Sequence, residues 1–396
     1  MEGGSPRLSR RALLAAGALA PTWACARRGP DARRGPPQLL WGVQSGDVTA
    51  SAAMVWSKTD RAARMVVDWS PRADFADARR VLGPVVTAET DFTGKVELSP
   101  LPRDSRVFYR VSFQGAADGE PSESLRGHLR LAPTAPRDVL FLWGADTCGQ
   151  GYGIAPAHGG LLTYATMAAL EPDVFLHAGD LIYADQPILK ERPLEGGGVW
   201  RNVTTPAVER VAESLDDFRG RHAYNLLDAH VRAFAATVPS FHVWDDHETH
   251  DNWYPGAVLD DPRYGEKSAA ILSERARRAL FEYTPARRVG AEGRRIHRAT
   301  SYGPSVDLFL LDGRSHRGPN GPGRETEAGP GSRYFGSEQL DWLERNLTTS
   351  RSRWKIIVVP QPLGLVVTDV RFGVPGVDGI ANGAGAPSGR ELEIER

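Results

Sequence analysis

The chain has 396 residues, 41% of them apolar and 24% charged, and its formal net charge is −1. This length allows two domains with proper cores, and the composition is ordinary for a soluble globular protein. A net charge near zero gives no indication of a nucleic-acid-binding surface. Beyond the N-terminal leader, no segment is apolar over the ~18 residues that a membrane span requires, so we expect a mature chain without one.

The first 26 residues have the pattern of an export signal. A basic segment with Arg10 and Arg11 precedes an apolar stretch over residues 12–20, and residues 24–26, Ala-Cys-Ala, provide a small-residue cleavage site. The run Ser-Arg-Arg-Ala-Leu-Leu is typical of a twin-arginine signal, so we predict export by the twin-arginine machinery to the periplasm or the extracellular space. A general secretory signal and a lipoprotein signal that modifies Cys25 are alternatives. Cleavage would leave a single cysteine, and therefore no internal disulfide.

Residues 27–37 are rich in proline, glycine and arginine, and we interpret them as a flexible linker. From residue 38 to 133, short segments alternate apolar and polar residues or are rich in β-branched residues, with Asp, Gly and Pro turns between them. This pattern predicts an immunoglobulin- or fibronectin-like β-sandwich. The predicted strands are 52–58, 64–70, 80–88, 94–101, 106–113 and 126–132.

A proline-containing boundary at residues 133–137 is followed by alternating strands and helices, which is typical of an α/β domain. We assign residues 137–396 to this domain. Its predicted strands are 138–143, 173–177, 238–244, 306–311 and 354–359. Its predicted helices are 160–170, 215–236, 266–283 and 337–347.

Several of these strands lead into a carboxylate. Asp146, Asp180, Asp245 with Asp246, and Asp312 each follow a predicted strand. Ligands bind at the C-terminal edge of such sheets, so these side chains are predicted to converge in one cleft. The alternative is that each aspartate only caps the loop or helix that follows it.

The densest polar stretch is residues 241–253, FHVWDDHETHDNW. Adjacent carboxylates repel one another, and placing them at the end of a buried strand is costly unless a cation neutralises them. Oxygen ligands suit Ca²⁺, Mg²⁺, Mn²⁺ or Fe³⁺, and the imidazoles of His247 and His250 can bind metal or donate protons. A solvated charged turn after a strand is the alternative.

Three motifs resemble those of the PhoD-like alkaline phosphatase and phosphodiesterase family, within the metallophosphoesterase superfamily. They are WGAD at 143–146, HAGDLIYAD at 177–185, and WDDHE at 244–248 followed by DNW. The resemblance covers nearly the whole mature chain, including GVQSGDVTASAAMVWSK at 42–58 and LDGRSHR at 311–317. It implies a metallophosphoesterase-type α/β/β/α sandwich after the N-terminal β-sandwich.

The resemblance also implies a metal centre, with Fe³⁺ and Ca²⁺ as the expected ions and other divalent metals as alternatives. Asp180 would bridge two ions, and Tyr183 would be a tyrosinate ligand to iron. The remaining expected metal ligands are Asp146, Asp246 and Asn252. Cys148 is either a thiolate ligand or a small buried residue, and we favour the second.

The resemblance also implies that His247 is the catalytic group, which would stabilise the transition state or protonate the leaving oxygen. Tyr224 and Arg314 are expected to contact the substrate phosphate, with structural roles as the alternative. The metal ions would lower the pKa of a water molecule and orient it for in-line attack. We therefore predict an exported phosphodiesterase or phosphomonoesterase resembling alkaline phosphatase D, with phospholipase D-like substrates included.

One departure from the family concerns the C-terminal end. The resemblance implies a further strand and a histidine-bearing loop, yet the sequence contains no histidine after His316. We therefore expect either a truncated product with an exposed sheet edge and lowered stability, or a catalytically weak homologue that still binds metal or phosphate. A secreted adhesion module based on the sandwich is a third alternative.

Overall fold

The structure is a computed structural model, and it describes residues 35–115, 119–290, 292–369 and 376–395. The predicted signal peptide, residues 1–26, and most of the predicted linker lie outside these ranges. Gly35–Arg396 forms one compact unit. Within the described ranges, no helix is both long enough and apolar enough to cross a membrane.

The described residues contain the following strands and helices. Strands β1–β7 are Val43–Gly46, Ala53–Lys58, Ala63–Ser70, Arg79–Val86, Thr93–Leu98, Arg106–Gly115 and Leu125–Arg130. Strands β8–β12 are Phe141–Gly144, Val174–Ala178, Glu191–Pro193, Val199–Arg201 and Ser240–Val243. Strands β13–β17 are Arg298–Ser301, Val306–Leu310, Trp354–Val358, Thr368–Asp369 and Gly376–Val377. Helices α1–α6 are Leu162–Ala169, Leu215–Asn225, Ala229–Thr237, Ala269–Tyr283, Ser337–Thr349 and Glu391–Ile394.

The N-terminal part is a β-sandwich. One of its sheets has the strand order β4-β3-β6-β7, and the other contains β5-β2-β1. Alternate residues of β6 point into the core, where Val107, Tyr109, Val111 and Phe113 are fully buried. This two-residue period is the one that the sequence shows, because successive side chains of a strand point to opposite faces.

The sandwich and the following region share a sheet. The order β5-β2-β1 continues through β12-β9-β8, which makes one six-stranded sheet. At the junction β1 runs parallel to β12, with Gly46 opposite Ser240. Strands β12, β9 and β8 are parallel to one another, so their C-terminal ends lie at one edge. A smaller sheet has the order β13-β14-β15.

The predicted helix 215–236 is two helices in the structure. Helix α2 ends at Asn225 and α3 begins at Ala229. Asp228 separates them, because one of its carboxylate oxygens accepts hydrogen bonds from the backbone N–H groups of His230 and Val231. The other oxygen accepts from the backbone N–H of Leu161 at 3.0 Å. The break is thus an N-cap that also fixes a distant loop.

Short strands account for most of the remaining differences. Strands β1 and β13, with four residues each, and the β10–β11 hairpin, with three residues in each strand, were not predicted. Strands β8 and β15 are the outer strands of their sheets. They expose Trp143 by 79% and Trp354 by 62%, so both edges present large apolar side chains to solvent.

A buried ion pair joins the sandwich to the rest of the unit. Asp47 follows β1, and its two carboxylate oxygens accept from Nε of Arg298 at 3.0 Å and from Nη2 at 2.7 Å. The side chains are 4% and 7% exposed, so water screens the pair very little. Arg298 also donates to the backbone carbonyl of His242 in β12. The pair therefore connects β1, β12 and β13.

We predict that Asp47→Ala lowers the free energy of unfolding by about 3–5 kcal/mol, because Arg298 would remain buried without its counter-charge. Urea denaturation followed by tryptophan fluorescence measures this change. Glu191→Ala is the matched control, since it removes an exposed partner of Arg201 and is expected to have little effect. Equal stabilities of the two variants would contradict the prediction.

Candidate metal centre

The site lies where two neighbouring parallel strands end. Strand β9 leads into Gly179 and Asp180, and β12 leads through Trp244 into Asp245 and Asp246. Gly179 has φ +114°, and a Cβ at this position would lie 2.7 Å from the Cβ of Asp245. Only glycine lets the two loops approach this closely.

Asp180, Asp246 and His247 form a group that can hold a metal ion. One ligand atom from each of them lies within 4.8 Å of the others, and both aspartates are buried. The backbone N–H of His247 also donates to Asp180 at 3.2 Å. Burial, followed by the charges of Asp246 and Asp245, raises the pKa of Asp180 well above its usual value. A cation would relieve this cost, so the donor set fits a hard metal ion.

Asp146 and Tyr183 lie against this group. The hydroxyl of Tyr183 donates to Asp146, and the backbone N–H of Asp146 donates to the carbonyl of Gly179 at 3.2 Å. Burial and the charge of Asp180 raise the pKa of Tyr183, so without a metal the phenol keeps its proton. A bound cation would have to displace this proton for Tyr183 to act as a phenolate ligand.

Asn252 completes the predicted ligand set. Its backbone N–H donates to Asp246 at 2.6 Å. Its side-chain amide lies beside Asp246 and Asp378, and a 180° rotation of the amide lets its nitrogen donate to them at 3.2 and 3.0 Å. Asp146, Asp180 and Asn252 have φ values of 63°, 54° and 53°. A left-handed backbone at a non-glycine residue costs free energy, so the surrounding contacts must hold these three conformations. All five residues predicted as metal ligands therefore lie in one region of the structure.

His247 is held in one orientation. Its Nδ1 lies 2.9 Å from Asp185, and its ring stacks on Tyr183 with 4.2 Å between ring centres. Burial disfavours the imidazolium, but the hydrogen bond and charge of Asp185, together with Asp246 and Asp180, outweigh burial and raise the pKa of His247 to about 11. Sequence reasoning assigned no role to Asp185, although it belongs to the motif at 177–185.

Arg314 was predicted to contact the substrate, but its position in the structure supports a different role. Its side chain is fully buried and pairs with Asp245 at 2.7 Å, Asp246 at 3.3 Å and Asp378 at 2.9 Å. Its Nη1 also points to the carbonyl of Trp253. The guanidinium thus has no free donor for a phosphate, and it serves instead to balance the carboxylates behind the site.

The hydroxyl of Tyr224 also makes its hydrogen bonds within the protein. Its hydroxyl accepts from the backbone N–H of Ile154 at 2.8 Å and donates to the carbonyl of Val203 at 2.8 Å. Only 1% of the residue is exposed. Its position therefore supports a structural role, in which it anchors the loop after β8.

The other two strand-end carboxylates also turn away from the metal group. Asp245 faces Arg314, and burial raises its pKa to about 7. Asp312 accepts from Nε1 of Trp244 and from the backbone N–H groups of Arg314 and Ser315, so it caps its own loop. The alternative of a capping role thus applies to Asp312.

Sequence reasoning missed Asp378, which is fully buried. It accepts from both Arg314 and Arg317 and lies within reach of the amide of Asn252. Local sequence around Asp378 contains no signal of this role, because its two arginine partners lie 64 and 61 residues earlier. Its contribution is to hold the loop that carries a predicted ligand.

Comparison with known proteins extends this picture. The family model of the PhoD-like phosphatases matches residues 141–392. The chain belongs to the PhoD-like phosphatase family. The model of the PhoD-like phosphatase N-terminal domain matches residues 24–133. The predicted family is thereby confirmed.

A curated relative and two solved structures are similar to this PhoD-like chain. Alkaline phosphatase D of Bacillus subtilis (strain 168) is 28% identical over 246 residues, which cover 58% of this chain and 40% of the relative. The solved structure of PhoD has a TM-score of 0.68 at 22% identity, over 88% of this chain and 67% of that one. Purple acid phosphatase PPD1 from yellow lupin (Lupinus luteus) seeds has a TM-score of 0.51 at 15% identity, over 85% and 52%. These structures confirm the predicted fold class.

Two further features of the PhoD-like site concern access and the cysteine. A cleft of about 590 Å³ beside the metal group is lined by Asp185, Asp251, Asn252 and Trp253, among others. Cys148 packs beside the buried side chains of Ile154, Ile188, Val208 and Tyr224. Burial raises the pKa of its thiol to about 12, which favours a protonated, packed cysteine over a thiolate.

We predict that metal stabilises the protein more at pH 8 than at pH 5. Burial raises the pKa of Asp180, that of Asp245 to about 7 and that of Glu248 to about 8. The unfolded chain loses these protons near pH 4, so the metal-free fold loses stability as the pH rises from about 4 to about 8. A bound cation offsets the resulting repulsion between Asp180 and Asp246.

Thermal unfolding with Mn²⁺ or Ca²⁺ and with chelator, at both pH values, measures this difference. Asp180→Asn is expected to abolish the gain in Tm from metal. A gain that is equal at both pH values, or larger at pH 5, would show that deprotonation of Asp180 does not control the stabilisation by metal.

Proposed function

We propose that this chain is a metal-dependent hydrolase of phosphoesters, acting as a phosphodiesterase or phosphomonoesterase. The observation that carries the proposal is the convergence of Asp180, Asp246 and His247, with one side-chain N or O atom of each within 4.8 Å of the others. Two carboxylates that can hold a cation thus lie beside an imidazole that can donate a proton. Membership of the PhoD-like phosphatases supports phosphoester chemistry. The chain spans 40% of the length of its curated relative. We therefore assign the activity of that whole protein to this chain only as a proposal.

Fe³⁺ and Ca²⁺ are the ions that we propose, with other divalent metals as substitutes. Tyr183 and Asp146 suit Fe³⁺, since phenolate and carboxylate are hard anionic donors, and Asp180, Asp246 and Asn252 would supply the oxygen ligands for a second cation. When bound, these cations would offset the negative charge of the phosphoester and lower the pKa of the attacking water.

The residues of the chain itself supply orientation and a proton. His247 presents its Nε2 edge to the site, because Nδ1 is engaged by Asp185 and the ring is stacked on Tyr183. In the imidazolium form this edge donates a proton to the leaving oxygen. Arg314 keeps Asp245 and Asp246 in place from behind and does not contact the substrate.

The proposal includes export, for which residues 1–26 provide the support. A twin-arginine signal would deliver the folded protein to the periplasm or the extracellular space. Its partners would then be the export machinery and a phosphoester substrate, with phospholipase D-like diesters inside the substrate range.

We predict chelator-sensitive hydrolysis of bis(4-nitrophenyl) phosphate by the purified protein. Asp180→Asn and Asp246→Asn are each expected to lower kcat/KM by at least about 100-fold, because they remove ligands rather than supporting contacts. Metal content, measured by elemental analysis, should fall in the same variants.

Asp74→Asn, an exposed change in the sandwich, is the control and should retain the wild-type rate. Hydrolysis that survives removal of metal would refute the metal-dependent mechanism. Metal binding without turnover would instead identify a catalytically inactive homologue.

A further prediction concerns Asp185, which positions His247 without reaching the substrate. Asp185→Asn is expected to lower kcat by about 10–100-fold with little change in KM, since the imidazole loses its charged partner. The alkaline limb of the pH profile of kcat should move to lower pH, because Asp185 favours the imidazolium.

Asp185→Glu keeps the charge and should restore part of the rate. A variant with lowered Tm but an unchanged pH profile would show that Asp185 only stabilises the fold.

A further inference from the structure

One sheet of the sandwich, β4-β3-β6-β7, carries a group of arginines on its outer face. Tyr109 and Phe113 of β6 are buried in the core. The alternate positions of β6, and the residues paired with them in register, therefore lie on the other face of the sheet. We give the name arginine face to five exposed or half-buried residues at these outer positions, namely Arg64, Arg80, Arg106, Arg110 and Arg126.

Asp68 is the one carboxylate at the outer positions of these four strands. It stands in register between Arg110 of β6 and Arg80 of β4. Its oxygens accept from Nε of Arg80 at 2.7 Å and from Nε of Arg110 at 3.1 Å. Asp68 is 7% exposed, whereas the side chains of Arg80 and Arg110 are 58% and 35% exposed. One shielded carboxylate thus serves two guanidinium groups, and the face presents net positive charge to solvent.

Arginines also stand directly opposite one another on β6 and β7. Arg106 is in register with Arg130, and Arg110 is in register with Arg126. Asp173 pairs with Arg130 at 2.9 Å, but Arg106 and Arg126 form no ion pair within the described ranges. Like charges at directly opposite positions of two antiparallel strands repel one another and are destabilising. An anionic partner on this face would offset that repulsion.

Phe75, in the loop between β3 and β4, orients two of these arginines. The guanidinium carbon of Arg110 lies 4.9 Å from the centre of its ring, and that of Arg126 lies 5.4 Å from it. Such contacts use the flat face of a guanidinium group and leave its N–H groups directed outward at the edge. The donors of Arg126 are therefore available to an acceptor outside the protein.

Two aliphatic side chains lie on the same face. Leu82 and Val85 belong to the outer strand β4 and are in register with Val66 and Arg64 of β3. They are 61% and 48% exposed. Binding to the surface of an anionic membrane combines attraction of cations to the lipid headgroups with burial of apolar side chains at the boundary of the acyl chains. A soluble polyanion would engage the arginines but would gain nothing from Leu82 and Val85.

We propose that the arginine face, together with Leu82 and Val85, docks the protein on a membrane surface that contains anionic lipids. The docking surface belongs to the sandwich, whereas the residues of the metal centre follow β8, β9 and β12. Docking therefore determines where the protein resides and takes no part in the chemical step. The inference does not depend on the proposed function.

Flotation with vesicles of phosphatidylcholine, with and without phosphatidylglycerol, tests the proposal. The full chain is compared with a chain that begins at Gly35 and retains the whole compact unit, because the arginines of the leader and linker would bind the same vesicles. The shorter chain is expected to float only with vesicles that contain phosphatidylglycerol, and added NaCl should release it. Equal flotation of this chain with both kinds of vesicle would overturn the proposal.

Two double variants of the shorter chain locate the binding surface. Arg106→Gln with Arg126→Gln should weaken binding to the anionic vesicles by about 10-fold or more, because each arginine near such a surface contributes to the affinity. The Tm should not fall, since the change relieves repulsion between like charges. Arg345→Gln with Arg351→Gln makes the same change in charge at exposed positions in and after α5, and it should keep the wild-type affinity. Equal affinities of the two double variants would show that the arginine face is not the docking surface.

A third double variant distinguishes a membrane from a soluble polyanion. Leu82→Ser with Val85→Ser leaves the charge unchanged and should weaken binding to the anionic vesicles by about 3–10-fold, through the loss of apolar burial. Double-stranded DNA is the competing ligand, and we expect it to bind more weakly than the vesicles at the same salt concentration. Tighter binding to DNA, with vesicle binding unchanged by the two serines, would overturn the assignment to a membrane.

Discussion

The site depends on an imbalance of buried charge. Arg314 faces Asp245, Asp246 and Asp378, and Arg317 shares Asp378, so two guanidinium groups balance the carboxylates behind the metal group. Among the described residues, no arginine or lysine pairs with Asp180, which is 8% exposed and lies close to Asp246. A buried carboxylate without a counter-charge is costly, and repulsion from a second carboxylate adds to that cost. The fold therefore places its unbalanced negative charge at the position where a hard cation would be bound.

Contacts from the surrounding structure hold the site in a backbone geometry that costs free energy. Asp146, Asp180 and Asn252 all have positive φ, which none of them would prefer in an isolated chain. Contacts from neighbouring loops maintain these conformations, and Glu248 is the clearest example. Its carboxylate accepts from the backbone N–H groups of Leu181 and Asp245, which join the loops after β9 and β12. Ligands held in this way need little rearrangement when a metal binds, so the strain serves preorganisation.

The local sequence predicted those parts of the site that follow directly from the pattern of strands. Asp146, Asp180 and Asp246 were predicted to converge because each follows an apolar strand and parallel strands end at one edge. The burial of Arg314 was not predictable, because an arginine has the same local sequence whether it meets solvent or three carboxylates. Asp378 was missed for the same reason, since its partner Arg314 is 64 residues away. The break at Asp228 had a local signal, an N-cap residue, but the apolar pattern that continued through it favoured a single helix.

The β-sandwich contributes to the metal centre through the shared sheet. Strand β12 carries Asp246 and His247 at its end, and its two neighbours in the sheet are β9 and β1. On the β1 side, the backbone N–H of Asp47 donates to the carbonyl of Ser240 at 3.1 Å, and a Cβ at Gly46 would lie 2.3 Å from that same oxygen. Without the sandwich, β12 would become an edge strand with unpaired backbone groups, and Arg298 would lose Asp47. The boundary predicted at residues 133–137 thus lies within one packed unit, in which the strand that ends at the metal ligands is supported on one side by the sandwich and on the other by β9.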